Sequence, residues 1–412
     1  MNELTSLGFI LLFALLVGHL VKFIRVPEVT GYIVAGMVVG PSVLGLVTHE
    51  HLQSLHTFSE VGIGLILFSI GAVFELGRVR AIGRRLVTLT LFESAMSAVL
   101  VAVGMLLLGQ SWQVALLLGA IAIPTGAAST LMVIRENNSA GRFTEALTGV
   151  IGLNNIVALV AFSLVALMLD VSALASGNVV TLDGVGRAIF PLVWQLVGSS
   201  ALGFLVGLLL ASWASQVVES GETLILLIGC VLLTVGVAAI LDLSPLVASL
   251  AVGATMANLS GKSRRLFEAL SRTDPPLYVI FFVLAGADLD LVKLPALGVL
   301  GVVYVVCRTG GKLVGAWYAA RRTGFPNAVQ RLLGMSLLAQ AGLAVGLVIL
   351  TRQRFPDVAP TVATVVLGAI IVFEIVGPLA ARFALDRSGE SRPQEAPALL
   401  PIDGSAAAVE SD

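Results

Sequence analysis

Apolar residues in this chain come in unbroken runs. They neither alternate nor follow a single helical stripe, and only short polar loops separate them. A helix that crosses a bilayer needs about 20 mostly apolar residues, because the hydrocarbon core is about 30 Å thick and a helix rises about 1.5 Å per residue. Thirteen runs meet that requirement: residues 5–24, 28–48, 58–76, 86–109, 112–134, 145–169, 189–213, 222–241, 244–260, 275–291, 294–320, 331–351 and 359–384. The ninth and tenth are short and open on proline (Pro245; Pro275 and Pro276). The pattern predicts an all-α membrane protein with about 13 transmembrane helices. Composition agrees. The chain is 57% hydrophobic and 12% charged, against about 25% charged in an ordinary soluble domain. So little charge cannot cover a water-facing surface of this size. A net charge of -1 offers no basic surplus for phosphates, which argues against a nucleic-acid partner.

The basic residues set an orientation. Lys22 and Arg25, the cluster Arg78 to Arg85, Arg135 and Arg142, the loop Lys262 to Arg272, Arg321 to Arg331 and the tail from Arg382 fall on one set of alternating loops. The opposite set holds only Arg187, Lys293, Arg352 and Arg354. Basic loops stay in the cytoplasm, so the reading is N-terminus outside and C-terminus inside. The first run lacks the basic lead and small-residue cleavage site of a signal peptide. Residues 1–386 read as one transmembrane domain. Residues 387–412, rich in Pro, Ser, Glu and Ala, read as a disordered tail.

Cys230 and Cys307 lie in apolar runs and suggest no disulfide or metal cluster. His49, His51 and His56 crowd one loop without metal-site spacing, and His19 lies near a span end. There is no Gly-rich dinucleotide fingerprint and no phosphate loop. No Ser–His pair, paired aspartates or HExxH motif lies deep in a span. The chain therefore reads as neither an enzyme nor a cofactor binder, and what remains is a channel or a carrier driven by gradients.

A polar group in mid-membrane is costly, about 2.5–3.5 kcal/mol for a central charge. The deep ones are Glu93, Asn154, Asn155, Arg308, Lys312, Gln340 and Glu374, with Asn258 nearer an end. Two runs are also interrupted. The fifth reads AIPTGAAST over residues 122–130, where Pro124 removes a backbone donor and Gly126 loosens the helix. The twelfth reads LAQAGLA over residues 338–344, with Gln340 and Gly342 at its centre. Interruptions in corresponding places of two halves point to an inverted repeat with a site between them. Either interruption alone is also compatible with a simple kink or close helix packing. Asn154 and Asn155 either coordinate a polar solute or hydrogen-bond the backbone freed at residues 122–126. Arg308 and Lys312, four apart, share a helical face. They need a carboxylate, helix C-terminal carbonyls or an anionic substrate. Glu93 is the expected carboxylate for Arg308, and Lys312 either joins it or snorkels to the surface. Glu374 reads as a packing or interfacial residue.

These features resemble the monovalent cation:proton antiporter superfamily, in particular the bacterial sodium–proton and potassium–proton exchangers with an extra N-terminal helix. The likeness covers about residues 5–385. It is carried by VPEVTGYIVAGMVVGP at 26–41, by residues 60–75 with Gly62, Gly64, Phe68 and Gly71, and by FFVLAGADLD at 281–290. The resemblance implies a dimerisation domain and a six-helix core with two crossed, broken helices, working as a homodimer. It implies that Pro124, Thr125, Gly126, Gln340 and Gly342 belong to the crossing, and that Arg308 and Lys312 face the site. Glu93 resembles a glutamate of the electroneutral members. The partners implied are a monovalent cation and a proton. This chain departs from the pattern at the ion-binding pair, usually Asp-Asp or Asn-Asp and here Asn154-Asn155. An amide coordinates a cation but does not titrate. Three readings follow: Glu93 carries the proton, the solute is an anion or zwitterion, or coupled transport has been lost.

Overall fold

A computed structural model describes residues 3–23, 26–46, 76–175, 193–214, 220–259, 275–287 and 298–391. It also describes 190, 289 and scattered positions from 62 to 71. All regular structure among these residues is helical. The helices are α1 (Glu3–Phe23), α2 (Glu28–Val39), α3 (Leu76–Leu107), α4 (Trp112–Ile121), α5 (Ala127–Glu136), α6 (Arg142–Ala175) and α7 (Ser199–Ala214, entered through a π-turn at Trp194–Gly198). There follow α8 (Ser220–Ile240), α9 (Pro245–Leu259), α10 (Pro275–Ala287), α11 (Gly298–Arg322), α12 (Asn327–Ser336), α13 (Gly342–Arg354) and α14 (Ala359–Ser388). They overlap twelve of the thirteen expected spans, with α4/α5 and α12/α13 each filling one. The third, 58–76, lies mostly outside the described residues, as does the His49–His56 loop. Among the described residues, six helices are long and apolar enough to cross a membrane on their own.

Outward faces are apolar, as lipid requires: Leu12, Ile225 and Leu205 are 73%, 75% and 63% exposed. The polar side chains named above turn inward. Close approach between helices relies on small residues, because lipid supplies no hydrophobic drive for helix pairing. Gly36 and Gly40 on α2 lie against the backbone of Val283 and Ala287 on α10. This is the packing role of the spaced glycines in the 26–41 segment. On α11, Gly311 rests on the backbone of Ser97 and Gly315 lies 2.9 Å, measured from where a Cβ would stand, from Cα of Glu93. Those two contacts press α11 onto α3.

The core is a repeat. A long helix, two short helices about a five-residue interruption and a second long helix occur first as α3, α4, α5 and α6. They occur again as α11, α12, α13 and α14. The two copies run in opposite senses. Glu390, just past α14, accepts hydrogen bonds from the backbone N–H groups of Phe143 and Thr144 at the start of α6, both at 2.8 Å. At the other end Arg354, closing α13, pairs with Asp170 near the close of α6 at 2.6 Å. The last helix thus continues to Ser388 and Gly389 closes it in the left-handed region at φ 76°. Residues 387–391 belong to this ordered end and not to the expected tail, while 392–412 lie outside the described residues. The remaining helices α1, α2 and α10, with α7 to α9, flank this core. A separate hydrophobic cluster of Leu65, Phe68, Val206, Leu210, Leu227 and Val231 holds α7, α8 and α9 together.

Candidate functional site

Both expected interruptions are present. Helix α4 stops at Ile121 and α5 starts at Ala127; α12 stops at Ser336 and α13 starts at Gly342. Pro124 has no N–H to give and blocks the preceding turn, so the chain extends over residues 122–126. The two extended stretches cross and touch, with the Gly126 N–H donating to the carbonyl of Ala339 at 2.8 Å.

Unwinding leaves carbonyls without helical partners inside the membrane, where each bare one is expensive. Helix α11 supplies the donors. The Arg308 guanidinium donates through Nε to Ala122 O at 3.0 Å and through Nη1 to Leu338 O at 2.6 Å. Its Nη2 donates to Pro124 O at 2.9 Å and Ala339 O at 3.2 Å. One planar, five-donor group therefore clamps both stretches. Lys312 Nζ donates to Ile123 O at 2.5 Å and to Thr125 Oγ1 at 3.3 Å. Gln340 Nε2 reaches back to Ile121 O at 2.8 Å and to the hydroxyl of Tyr304 at 2.9 Å. Arg308 thus meets the negative C-terminal ends of both α4 and α12, and Lys312 that of α4.

The charge pairing differs from the sequence reading. Glu93 pairs with Lys312, Nζ to Oε1 at 2.5 Å, and both side chains are fully buried. Arg308 takes the carbonyls instead. The register explains the exchange of partners: Gly315 meets α3 at Glu93 and Gly311 meets it at Ser97. Lys312 is therefore level with the carboxylate, and it does not snorkel. The two asparagines differ in their surroundings, and Asn154 takes the hydrogen-bonding role. Asn154 is fully buried; its Oδ1 accepts from the N–H of Thr125 and its Nδ2 donates to Glu93 Oε2, each at 2.9 Å. Asn155 bonds only its own helix, Nδ2 to Ile151 O at 3.0 Å, and lines an open cleft. That cleft, about 620 Å³ including its mouth, is bounded by Thr125, Gly126, Asn155, Gly342, Leu250 and Phe281 among others. Its lining is mainly apolar; Arg308, Lys312 and Glu93 stand behind the crossing, and neither they nor Pro124, Gln340, Ser129 and Glu374 line the cleft, which reaches Glu374 only through Gly126.

One further deep carboxylate stands at the crossing. Glu374 on α14 is 5% exposed and faces the first interruption. Ser129 Oγ donates to its Oε1 at 3.4 Å, and a Cβ on Gly126 would stand 3.2 Å from that oxygen. The signal lay in spacing. Gly377, three residues on and so on the same face, packs directly against Ala339, which marks this face of α14 as the one turned to the crossing.

The arrangement is that of a gradient-driven carrier, and comparison with known proteins places it. The transmembrane sodium/hydrogen exchanger family matches the chain over residues 8–385. The chain belongs to the sodium/hydrogen exchanger family. An ammonium/proton antiporter subunit, AmhT of Alkalihalophilus pseudofirmus, is 25% identical to this exchanger over 341 residues, which span 81% of this chain and 83% of that one. The glutathione-regulated potassium-efflux protein KefC of Klebsiella pneumoniae is 26% identical over 340 residues, 80% of this chain. The exchanger spans about half of that relative's length (52%). The solved sodium/proton antiporter MjNhaP1 of Methanocaldococcus jannaschii superposes with TM-scores of 0.68 and 0.71 in two structures at 15% identity. The first covers 93% of this chain and 98% of that one. The likeness establishes the antiporter fold. The exchanger is a multi-pass membrane transporter of a family that moves monovalent cations with protons.

Proposed function

We propose that this exchanger is a monovalent cation:proton antiporter whose cation enters the cleft beside Asn155 and Thr125. The observation that carries the reading is the position of Asn155. It stands at the crossing, on the open side, with its carbonyl oxygen uncommitted to the helix and the Thr125–Gly126 backbone across from it. An amide oxygen is a hard donor suited to an alkali cation or ammonium. An anion carrier is disfavoured, because Arg308 and Lys312 are spent on carbonyls and on Glu93 and do not reach the cleft. Glu93 is engaged in the same way and does not shuttle protons to the cleft. Its oxygens are held by Lys312, Asn154 and Ser94.

The protein works as a homodimer in the bacterial inner membrane, with the ends near Glu136 and Glu390 in the cytoplasm. Everted vesicles carrying a pH-sensitive dye test the function. Added sodium, potassium, lithium or ammonium dequenches the dye, with a pH-dependent half-saturation. No dequenching by any of the four, from protein shown to be folded and inserted, removes the proposal.

A further inference from the structure

An exchanger needs a group that holds either a proton or a cation, and position 155 cannot be that group. Three deep side chains lie close enough to the crossing to be considered. Lys312 and Glu93 neutralise each other at 2.5 Å. The third is Glu374. It comes from α14, the repeat counterpart of the helix that carries Asn154 and Asn155, and reaches the crossing from the opposite flank. Its single hydrogen bond is long, 3.4 Å to the Ser129 hydroxyl. No ion pair joins it to a lysine or arginine among the described residues. The charged group that acts on it is Arg308, across α11, whose guanidinium is 4.3 Å from the ring of Phe373 and is spent on four carbonyls. From α5 it meets Ser129 and Gly126; Gly126 also bounds the cleft.

A carboxylate this buried and this poorly paired is costly as a bare anion. Two states relieve it: a proton on the oxygen, or a cation against it. Resting on the exchange reading above, we infer that Glu374 is the exchanging carboxylate of this protein. The protonated carboxyl meets a cation entering past Asn155 and Gly126. The O–H bond breaks, its proton leaves by the cleft, and the carboxylate closes on the cation. One positive charge replaces another, so the site changes occupant without changing net charge, and one cation crosses for each proton. The Ser129 hydroxyl serves both states, since it donates to the carboxylate and can turn its lone pairs to a cation.

The test uses the full chain in proteoliposomes with the cation that dequenches best for wild type. Glu374→Gln keeps size and hydrogen bonding and removes titration. The expected result is loss of cation-driven proton release at every pH, with thermal unfolding in detergent unchanged. Glu374→Asp restores exchange with its pH dependence, at an apparent cation affinity about tenfold weaker. Wild-type activity and pH profile in Glu374→Gln would overturn this inference and leave the exchange reading standing. Absence of exchange in wild type would overturn both. If Glu374→Gln does not fold, Glu374→Asp decides: unchanged apparent affinity and pH midpoint would place the exchanging group elsewhere.

Discussion

At the scale of the residue, the crossing is an arrangement of buried charge that closes on itself. Lys312 and Glu93 are a fully buried ion pair, tied further to Ile123 O, Thr125 and Asn154. Removing one member of such a pair leaves the other uncompensated, at a cost of about 3–5 kcal/mol. Lys312→Met is therefore expected to lower thermal stability in detergent sharply. Glu93→Gln combined with Lys312→Met should recover most of the loss, which a double-mutant cycle measures. Two equal and additive losses would mean that the pair does not form. Asn155 gives the complementary prediction, a gain. Asn155→Asp adds a charge on the open side of the crossing, where one charge near another at about 4 Å changes affinity by about tenfold. Cation-driven exchange should strengthen and its pH dependence move; an unchanged pH profile in a folded variant would place the cation elsewhere.

At the scale of the element, the interruptions follow from backbone chemistry and were visible in the sequence. Pro124 and Gly126 forbid a regular helix at the first, and the second repeats its length and place without proline. Partner choice was not visible. That Glu93 meets Lys312 and not Arg308 depends on one helical turn of register between α3 and α11, fixed by where Gly311 and Gly315 touch. Nothing in the spacing of two cations four apart selects between them. The placement of Glu374 was hidden for a related reason. A carboxylate in a span advertises itself, but the direction it faces depends on how α14 is rotated, which only the contact of Gly377 with Ala339 reveals. Conversely, the apolar runs set the helices, because lipid leaves the chain few alternatives. The α3–α11 seam carries its own prediction. A side chain at Gly311 must enter the backbone of Ser97, so Gly311→Leu should cost at least the 1–3 kcal/mol or so typical of overpacking. It should also release Lys312 from Glu93. Loss of thermal stability together with loss of exchange is expected, and a fully stable, active variant would contradict the packing described.

At the scale of the molecule, an oppositely directed repeat forms a core that is fastened at both ends, by Glu390 on α6 and by Arg354 on Asp170. It is flanked by helices that share fewer polar ties with it. One such tie lies at the end where α2 begins. Glu136 of α5 accepts from the backbone N–H of Glu28 at 2.8 Å and lies 3.5 Å from Arg382 of α14. The cleft lies between these two bodies, bounded by α9 and α10 on one side and by the crossing on the other. The account as a whole requires the transported cation to occupy that cleft. The most direct measurement replaces Cys230 and Cys307, places a cysteine at Ile156 on the cleft wall, and follows its reaction with a water-soluble maleimide. The account predicts labelling that slows in the presence of the exchanged cation, saturates with its concentration, and is unaffected by choline at equal ionic strength. A rate indifferent to the cation, in a variant that still exchanges it, would show that the ion travels by another route.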